Sequence, residues 1–196
     1  MSFEDSQKKI LFVRLTHQMA IESIAVFCGS KTGTSSCYSQ AARELGQLLA
    51  AQKIKMIYGG GSVGLMGVMA DAVMQGGGWV TGIIPKLLVE WEVEHRAISE
   101  LIICDDMHER KLKIYSKADA VLVLPGGVGT LDELFEVLTW NQLTIHDKEI
   151  FLLNTNHFYD FLLKHMDTMR ETGFLTKSSL EKLHILQNPL DLLRLL

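Results

Sequence analysis

No apolar run in this chain approaches the ~18 residues that a membrane-spanning helix needs, so the sequence predicts no span. Cysteine is scarce: Cys28, Cys37 and Cys104 are odd in number and form no C-x-x-C pair. Their pattern argues against a disulfide scaffold and, with no secretory signal, predicts a reducing cytoplasmic setting. An excess of positive charge is also missing. A net charge of −4 argues against a general nucleic-acid binder or a polybasic membrane-surface protein.

Several catalytic signatures are absent. His108-Glu109 opens like a zinc-protease motif, but position 112 is Leu112, and the seven histidines show no metal spacing. Neither glycine cluster is followed by a Walker lysine, and there is no G-x-S-x-G elbow. Gly59-Gly60-Gly61-Ser62-Val63-Gly64 matches G-x-G-x-x-G. A dinucleotide site, however, requires an acid about 20 residues on, at the end of the next strand. That strand ends Ile83-Ile84-Pro85-Lys86, with no acid before Glu90. An NAD-dependent redox enzyme is therefore disfavoured. A nucleotide cradle or a close-packing turn remains for this cluster.

What is present is a regular alternation. Short β-rich runs at Ile24–Cys28, Lys55–Tyr58, Trp79–Ile84, Leu101–Cys104, Ala120–Leu124 and Ile150–Leu153 are predicted strands. Helices are predicted at Tyr38–Gln52, Leu65–Gln75, Met107–Ser116, Leu131–Leu143 and Phe158–Glu171, with a short one at Pro189–Leu196 capped by Asn188. Several strands are apolar throughout, as in a parallel sheet buried on both faces. The expectation is an α/β fold with a doubly wound, mostly parallel sheet in three layers. Ligands should bind at the carboxyl ends of its strands. Residues 21–196 read as one domain, and residues 1–20, with Lys8-Lys9-Ile10-Leu11-Phe12-Val13-Arg14, as a peripheral extension.

Two stretches carry the chemistry. Pro125-Gly126-Gly127-Val128-Gly129-Thr130 joins a strand to a helix, and its glycine N–H groups can form an anion nest. The helix N-terminus behind it adds roughly half a positive charge, so a phosphate is the natural guest. Glu133 then follows at a place where binding a phosphate alone gives no reason for a carboxylate. In Asp106-Met107-His108-Glu109-Arg110-Lys111, Asp106 and Glu109 make a capping-box variant. Arg110 and Lys111 fall near the first turn, where each cation opposes the dipole at a cost of roughly 0.3–1 kcal/mol. A disfavoured choice made twice suggests a function. His146 and His165 read as surface or helix-end residues.

Taken together, these motifs resemble the Lonely Guy family of cytokinin riboside 5′-monophosphate phosphoribohydrolases. The resemblance runs over most of Ile24 to Phe161 and rests on Gly59 to Gly67, Met107 to Lys111, Pro125 to Glu133, Glu136 to Trp140 and Ile145 to Lys148. It implies a Rossmann-like fold, commonly a homodimer, and hydrolysis of a nucleoside 5′-monophosphate to base and ribose 5-phosphate. It also implies catalytic roles for Arg110 and Glu133. The substrate-binding residues expected with it are Glu92, Lys111, Gly126, Gly127, Val128, Gly129, Thr130, Thr139, Gly59, Gly60, Gly61 and Ser30. No cofactor or metal is implied. Sequences of this kind are often labelled lysine decarboxylases, yet no pyridoxal-binding constellation is evident. The chain departs from the family at Glu90-Trp91-Glu92, where many members carry Pro-Arg-Glu, and at Lys31, where a serine is usual. Both changes bear on the preferred base rather than on the reaction class.

Charge suggests a mechanism. Breaking the C1′–N bond leaves an oxocarbenium-like sugar and negative charge on the departing base, and a carboxylate near C1′ stabilises the cation or activates water. Glu133 suits that role. A guanidinium keeps its proton at any working pH, so Arg110 is assigned electrostatic stabilisation and orientation. The rival reading is a non-catalytic nucleotide or molybdenum-cofactor carrier, which needs the loops but neither Glu133 nor Arg110. A homodimer is expected because the helices at Leu65–Gln75 and Leu131–Leu143 are apolar on more than one side. At 100° per residue Thr139 lies half a circle from Thr130, so it should reach a partner's substrate.

Overall fold

A computed structural model describes residues 21–89 and 94–196. The N-terminal extension and Glu92 lie outside these residues. Seven strands form one sheet in the order β4-β3-β2-β1-β5-β6-β7. They are β1 (Ser23–Phe27), β2 (Lys55–Tyr58), β3 (Val80–Pro85), β4 (Glu100–Cys104), β5 (Ala120–Val123), β6 (Ile150–Leu153) and β7 (Leu183–Leu186). Every pairing is parallel. Six strands fall where the alternation predicts them. β7 is the addition, because Leu-His-Ile-Leu is short and partly exposed, as an edge strand tolerates.

The helices are α1 (Ser36–Ala51), α2 (Gly64–Gln75), α3 (Met107–Lys117), α4 (Val128–Gln142) and α5 (Asp160–Glu171). Strand periodicity sorts the core into two layers. Ile24 and Val26 of β1 pack with α1 and α2 on one face. Ala25 and Phe27 face the cluster made by α3, α4 and α5 on the other. The C-terminal segment Pro189–Arg194 is a 3-10 helix with a capping box between Asn188 and Asp191, and Leu192 is buried against the sheet. This is the expected three-layer doubly wound fold.

α2 answers one expectation differently. Its second apolar side meets α1: a Cβ on Gly46 would lie 2.7 Å from both the Ala72 Cβ and the Met69 carbonyl oxygen. The apolarity of α2 is thus spent inside the chain and gives no argument for a partner. Its single charge, Asp71, accepts from the buried His95 at 3.0 Å. The His95 Nδ1 accepts from the Ala97 N–H, so in the neutral ring Nε2 is the donor toward Asp71.

Candidate active site

Strand order reverses between β1 and β5, and the carboxyl ends of these strands are where such a sheet binds ligands. The Gly29 N–H donates to the Pro125 carbonyl at 3.0 Å, and the Leu65 N–H to the Gly29 carbonyl at 3.0 Å, joining three loops. The Tyr159 hydroxyl donates to the Leu124 carbonyl at 2.7 Å and fixes the end of β5 just before its glycines. Beside this junction lies a cavity of about 310 Å³ bordered by Ser30, Lys31, Tyr38, Gly126, Gly127 and Phe158. Neither Arg110 nor Glu133 lines it. The cavity adjoins Gly126 and Gly127 of the second glycine cluster.

α4 begins at Val128, three residues before the predicted start, so Val128, Gly129 and Thr130 form its first turn. Gly127 is the N-cap and no side chain caps its N–H groups. By contrast, Ser35 caps α1 and Asp106 caps α3. A Cβ at Gly127 or Gly129 would meet nothing within 4 Å, whereas one at Gly126 would strike the Thr130 hydroxyl oxygen at 2.1 Å. The turn is tightly packed at Gly126 and Thr130 and open at Gly127 and Gly129.

Arg110 is 5% exposed. Its Nη2 donates to the Gly59 carbonyl at 2.8 Å and its Nε to the Ile83 carbonyl at 3.2 Å, at the ends of β2 and β3. A Cβ on Gly59 would lie 1.9 Å from that guanidinium nitrogen. Gly60 takes φ +79°, and Gly61 bridges to Glu94 in antiparallel fashion. A Cβ on Gly64 would lie 2.2 Å from the Ser30 carbonyl carbon, and one on Gly67 would lie 1.9 Å from the Ser62 carbonyl oxygen. At Gly59, Gly64 and Gly67 the cluster packs tightly against the protein's own atoms in the directions a Cβ would take.

The capping of α3 is displaced by one residue from the expected box. Asp106 accepts from the Glu109 N–H at 2.8 Å, but Glu109 accepts from Asp105 at 2.7 Å rather than from Asp106. Lys111 turns toward α4, donating to Asp132 at 2.7 Å and lying 3.3 Å from Glu136. Burial disfavours its charge, yet the two carboxylates outweigh that and raise its pKa. The two cations that oppose the α3 dipole thus have separate duties, one on strand carbonyls and one on a neighbouring helix.

Glu133 is half-buried, and its charge is felt at the end of β1. There the Cys28 thiol is pushed up, first by burial and then by Glu133. Ser30 borders the cavity, exposed. Thr139 is not brought to these loops. It is exposed, its hydroxyl donates to the Phe135 carbonyl at 2.7 Å, and it borders a separate groove with Leu138, Met166 and Met169. Tyr115, Asp132 and Glu136 were not singled out in the sequence. Their spacing was visible, but only the packing of α3 against α4 makes them neighbours.

Three comparisons with known proteins bear on this geometry. Residues 66–196 match the family described as "Possible lysine decarboxylase". The chain is 46% identical over 155 residues to the cytokinin riboside 5′-monophosphate phosphoribohydrolase LOG5 of Arabidopsis thaliana, covering 79% of this chain and 68% of that protein. The chain belongs to the Lonely Guy family. LOG1 of the same plant, with the same enzyme name, is 46% identical over 82% of this chain and 78% of its own length. A solved molybdenum-cofactor-binding protein from Rippkaea orientalis shares the fold at TM-score 0.68 and 24% identity, with 91% and 96% of the two chains covered. That likeness concerns architecture alone. No described helix is long and apolar enough to cross a membrane, and no described group of acidic, histidine or cysteine side chains is arranged to hold a metal.

Proposed function

We propose that the protein hydrolyses the C1′–N bond of a nucleoside 5′-monophosphate, either AMP or an N6-modified AMP such as a cytokinin nucleotide. The products are the free base and ribose 5-phosphate. One observation carries this reading: α4 starts uncapped, with open space at Gly127 and Gly129, and bears Glu133 farther along. The 5′-phosphate takes the N–H groups of Gly126 to Thr130 and the positive end of the helix dipole. Phosphoribohydrolase relatives at 46% identity agree with it.

In the reaction the electron pair of the C1′–N bond leaves with the base. Water supplies the hydroxyl that joins C1′ and the proton that ends on the base. Glu133 stabilises the oxocarbenium-like sugar or draws the proton from the attacking water. Arg110, held by the Gly59 and Ile83 carbonyls, provides fixed positive charge toward the developing anion. Glu92 reads the base or ribose, and Ser30 borders the phosphate side. A carrier without chemistry has no use for Glu133 and Arg110 together.

A homodimer acting in the cytoplasm belongs to the same reading. Thr139 stands on the exposed side of α4, so it serves the substrate of a second subunit across a two-fold axis. Mixing a Glu133→Ala chain with a Thr139→Trp chain should then restore activity in heterodimers. Absence of rescue despite subunit exchange would confine each site to one chain.

The deciding experiment incubates purified protein with AMP, N6-prenylated AMP, other monophosphates and the matching nucleosides, and assays base and ribose 5-phosphate. Monophosphates should be cleaved far faster than nucleosides. Equal rates on adenosine and AMP would sink the phosphate-anchored site. Tight binding without cleavage would favour the carrier. Glu133→Gln should lower turnover by orders of magnitude while ribose 5-phosphate still binds.

A further inference from the structure

The two side chains on which the proposed reaction rests belong to different helices, Arg110 to α3 and Glu133 to α4. Neither helix alone fixes their separation. Between them stands a ladder of four residues, two from each helix and one turn apart on each. Lys111 donates to Asp132 at 2.7 Å and reaches Glu136 at 3.3 Å. The Tyr115 hydroxyl lies 3.2 Å from the Glu136 carboxylate and 3.1 Å from the main-chain oxygen of Glu133 itself. The Tyr115 ring is held between Phe27 at 5.5 Å and Trp140 at 4.9 Å, so its hydroxyl has a fixed place.

The register of this ladder is what gives it meaning. Arg110 directly precedes Lys111, and Glu133 directly follows Asp132. Arg110 is tied to the strand ends through Gly59 and Ile83, while its neighbour Lys111 is tied the opposite way, to α4. Without a cation between them, Asp132 and Glu136 would be like charges at i,i+4, a repelling arrangement. The Lys111 side chain is 16% exposed, leaving its ammonium little surface beyond these partners.

We propose that Lys111 is a positioning residue, which with Tyr115 locks α3 to α4 at Asp132 and Glu136 and so sets Glu133 against Arg110, rather than binding the substrate. This departs from the substrate contact that family resemblance implies for Lys111, and it rests on the hydrolase reading above. It also accounts for three acidic residues within five positions of a helix whose N-terminus receives a phosphate. Asp132 and Glu136 serve the lysine, and Glu133 serves the sugar.

The test is a cycle of variants: Lys111→Met, the pair Asp132→Asn with Glu136→Gln, and all three together. Wild-type turnover on the monophosphate panel comes first, because its absence would remove the reaction and this proposal with it. Given turnover, Lys111→Met should lower kcat by roughly 10²-fold, the scale on which an ångström of misplacement is felt, with KM little changed. Added to the two carboxamide changes, Lys111→Met should cost nothing further in kcat. Lys111→Arg, which keeps the charge and can span both carboxylates, should recover most of the loss. A raised KM at unchanged kcat, or a full Lys111→Met loss persisting in the carboxamide background, would overturn the proposal in favour of direct contact. If Lys111→Met does not fold, the more exposed Asp132→Asn decides alone: lowered kcat at constant KM supports the lock, and unchanged kcat rejects it.

Discussion

The chain uses glycine clusters at two places, and they do opposite work. At Gly59, Gly64 and Gly67 the space a Cβ would need is already filled by the Arg110 guanidinium, the Ser30 backbone and the Ser62 carbonyl. At Gly127 and Gly129 it is empty. The first cluster is glycine so that the protein can approach itself; the second leaves open space beside the start of α4. In sequence both follow a strand and open a helix, and the first has the more familiar spacing. The motif names the residue type, while the neighbours decide its purpose.

Substitutions can separate these two uses. The largest effect is expected at Gly59→Ala, because the methyl displaces the Arg110 guanidinium from the Gly59 carbonyl. Turnover should fall by roughly 10²-fold or more, the cost of an ångström-scale misplacement at a reacting centre, and the melting temperature should fall with it. Gly129→Ala should remove turnover and ribose 5-phosphate binding on a similar scale but leave the fold intact. Alanine suits a helix better than glycine by roughly 0.5–1 kcal/mol, so its melting temperature should hold or rise. If calorimetry shows ribose 5-phosphate binding unchanged in Gly129→Ala, the open cluster is not the phosphate site.

Gly67→Ala should do the converse of Gly129→Ala. Its Cβ would lie 1.9 Å from the Ser62 carbonyl oxygen, so backbone must move. A loss of about 1–3 kcal/mol is expected for such overpacking, read by denaturant unfolding, with turnover per folded molecule kept. A stable but inactive Gly67→Ala would erase the distinction between the clusters.

The smallest effect is a pH dependence away from both clusters. Asn141 donates its amide to the Lys148 carbonyl, which turns its oxygen toward His146 Nδ1 at 2.5 Å. That assigns the proton to Nδ1, and His146 Nε2 is buried without a hydrogen-bond partner among the described residues. Burial first, and the Lys148 charge second, hold the imidazole below its ordinary pKa. The neutral ring therefore contributes stability that is present above the unfolded value of about 6.5 and lost as pH falls through the lower folded value. Thermal unfolding of wild type should weaken between pH 7 and pH 5 more than that of His146→Phe. Equal slopes would remove His146 from the account.

The sequence made most of the sheet legible because six strands are dense in apolar β-formers, and Ser35 and Asp106 cap two of the helices between them. β7 was hidden, since four residues with one exposed face resemble a loop. The start of α4 was hidden for a different reason: Val128-Gly129-Thr130 has poor helix propensity, and the turn is closed by the Leu131 N–H donating to the Gly127 carbonyl. For the site, Arg110 and Glu133 stood out through locally disfavoured placement, which a single chain can reveal. The Lys111 partners did not, because contacts between helices depend on packing that no local pattern encodes. His146 looked like a helix-end residue, yet it sits against Tyr115 and Trp140.

The parallel sheet also imposes an order on how the molecule is made. β1 is central, flanked by β2 and by β5. Its bond from Ser23 to Asp119 spans 96 residues. During synthesis β1 to β4 can pair as they emerge, but one edge of the central strand β1 stays unpaired until β5 is released. Pairings of that sequence separation form slowly, and open strand edges invite association between chains. Cooler, slower expression should therefore raise the soluble yield, and truncations ending before Ala120 should collect as aggregates.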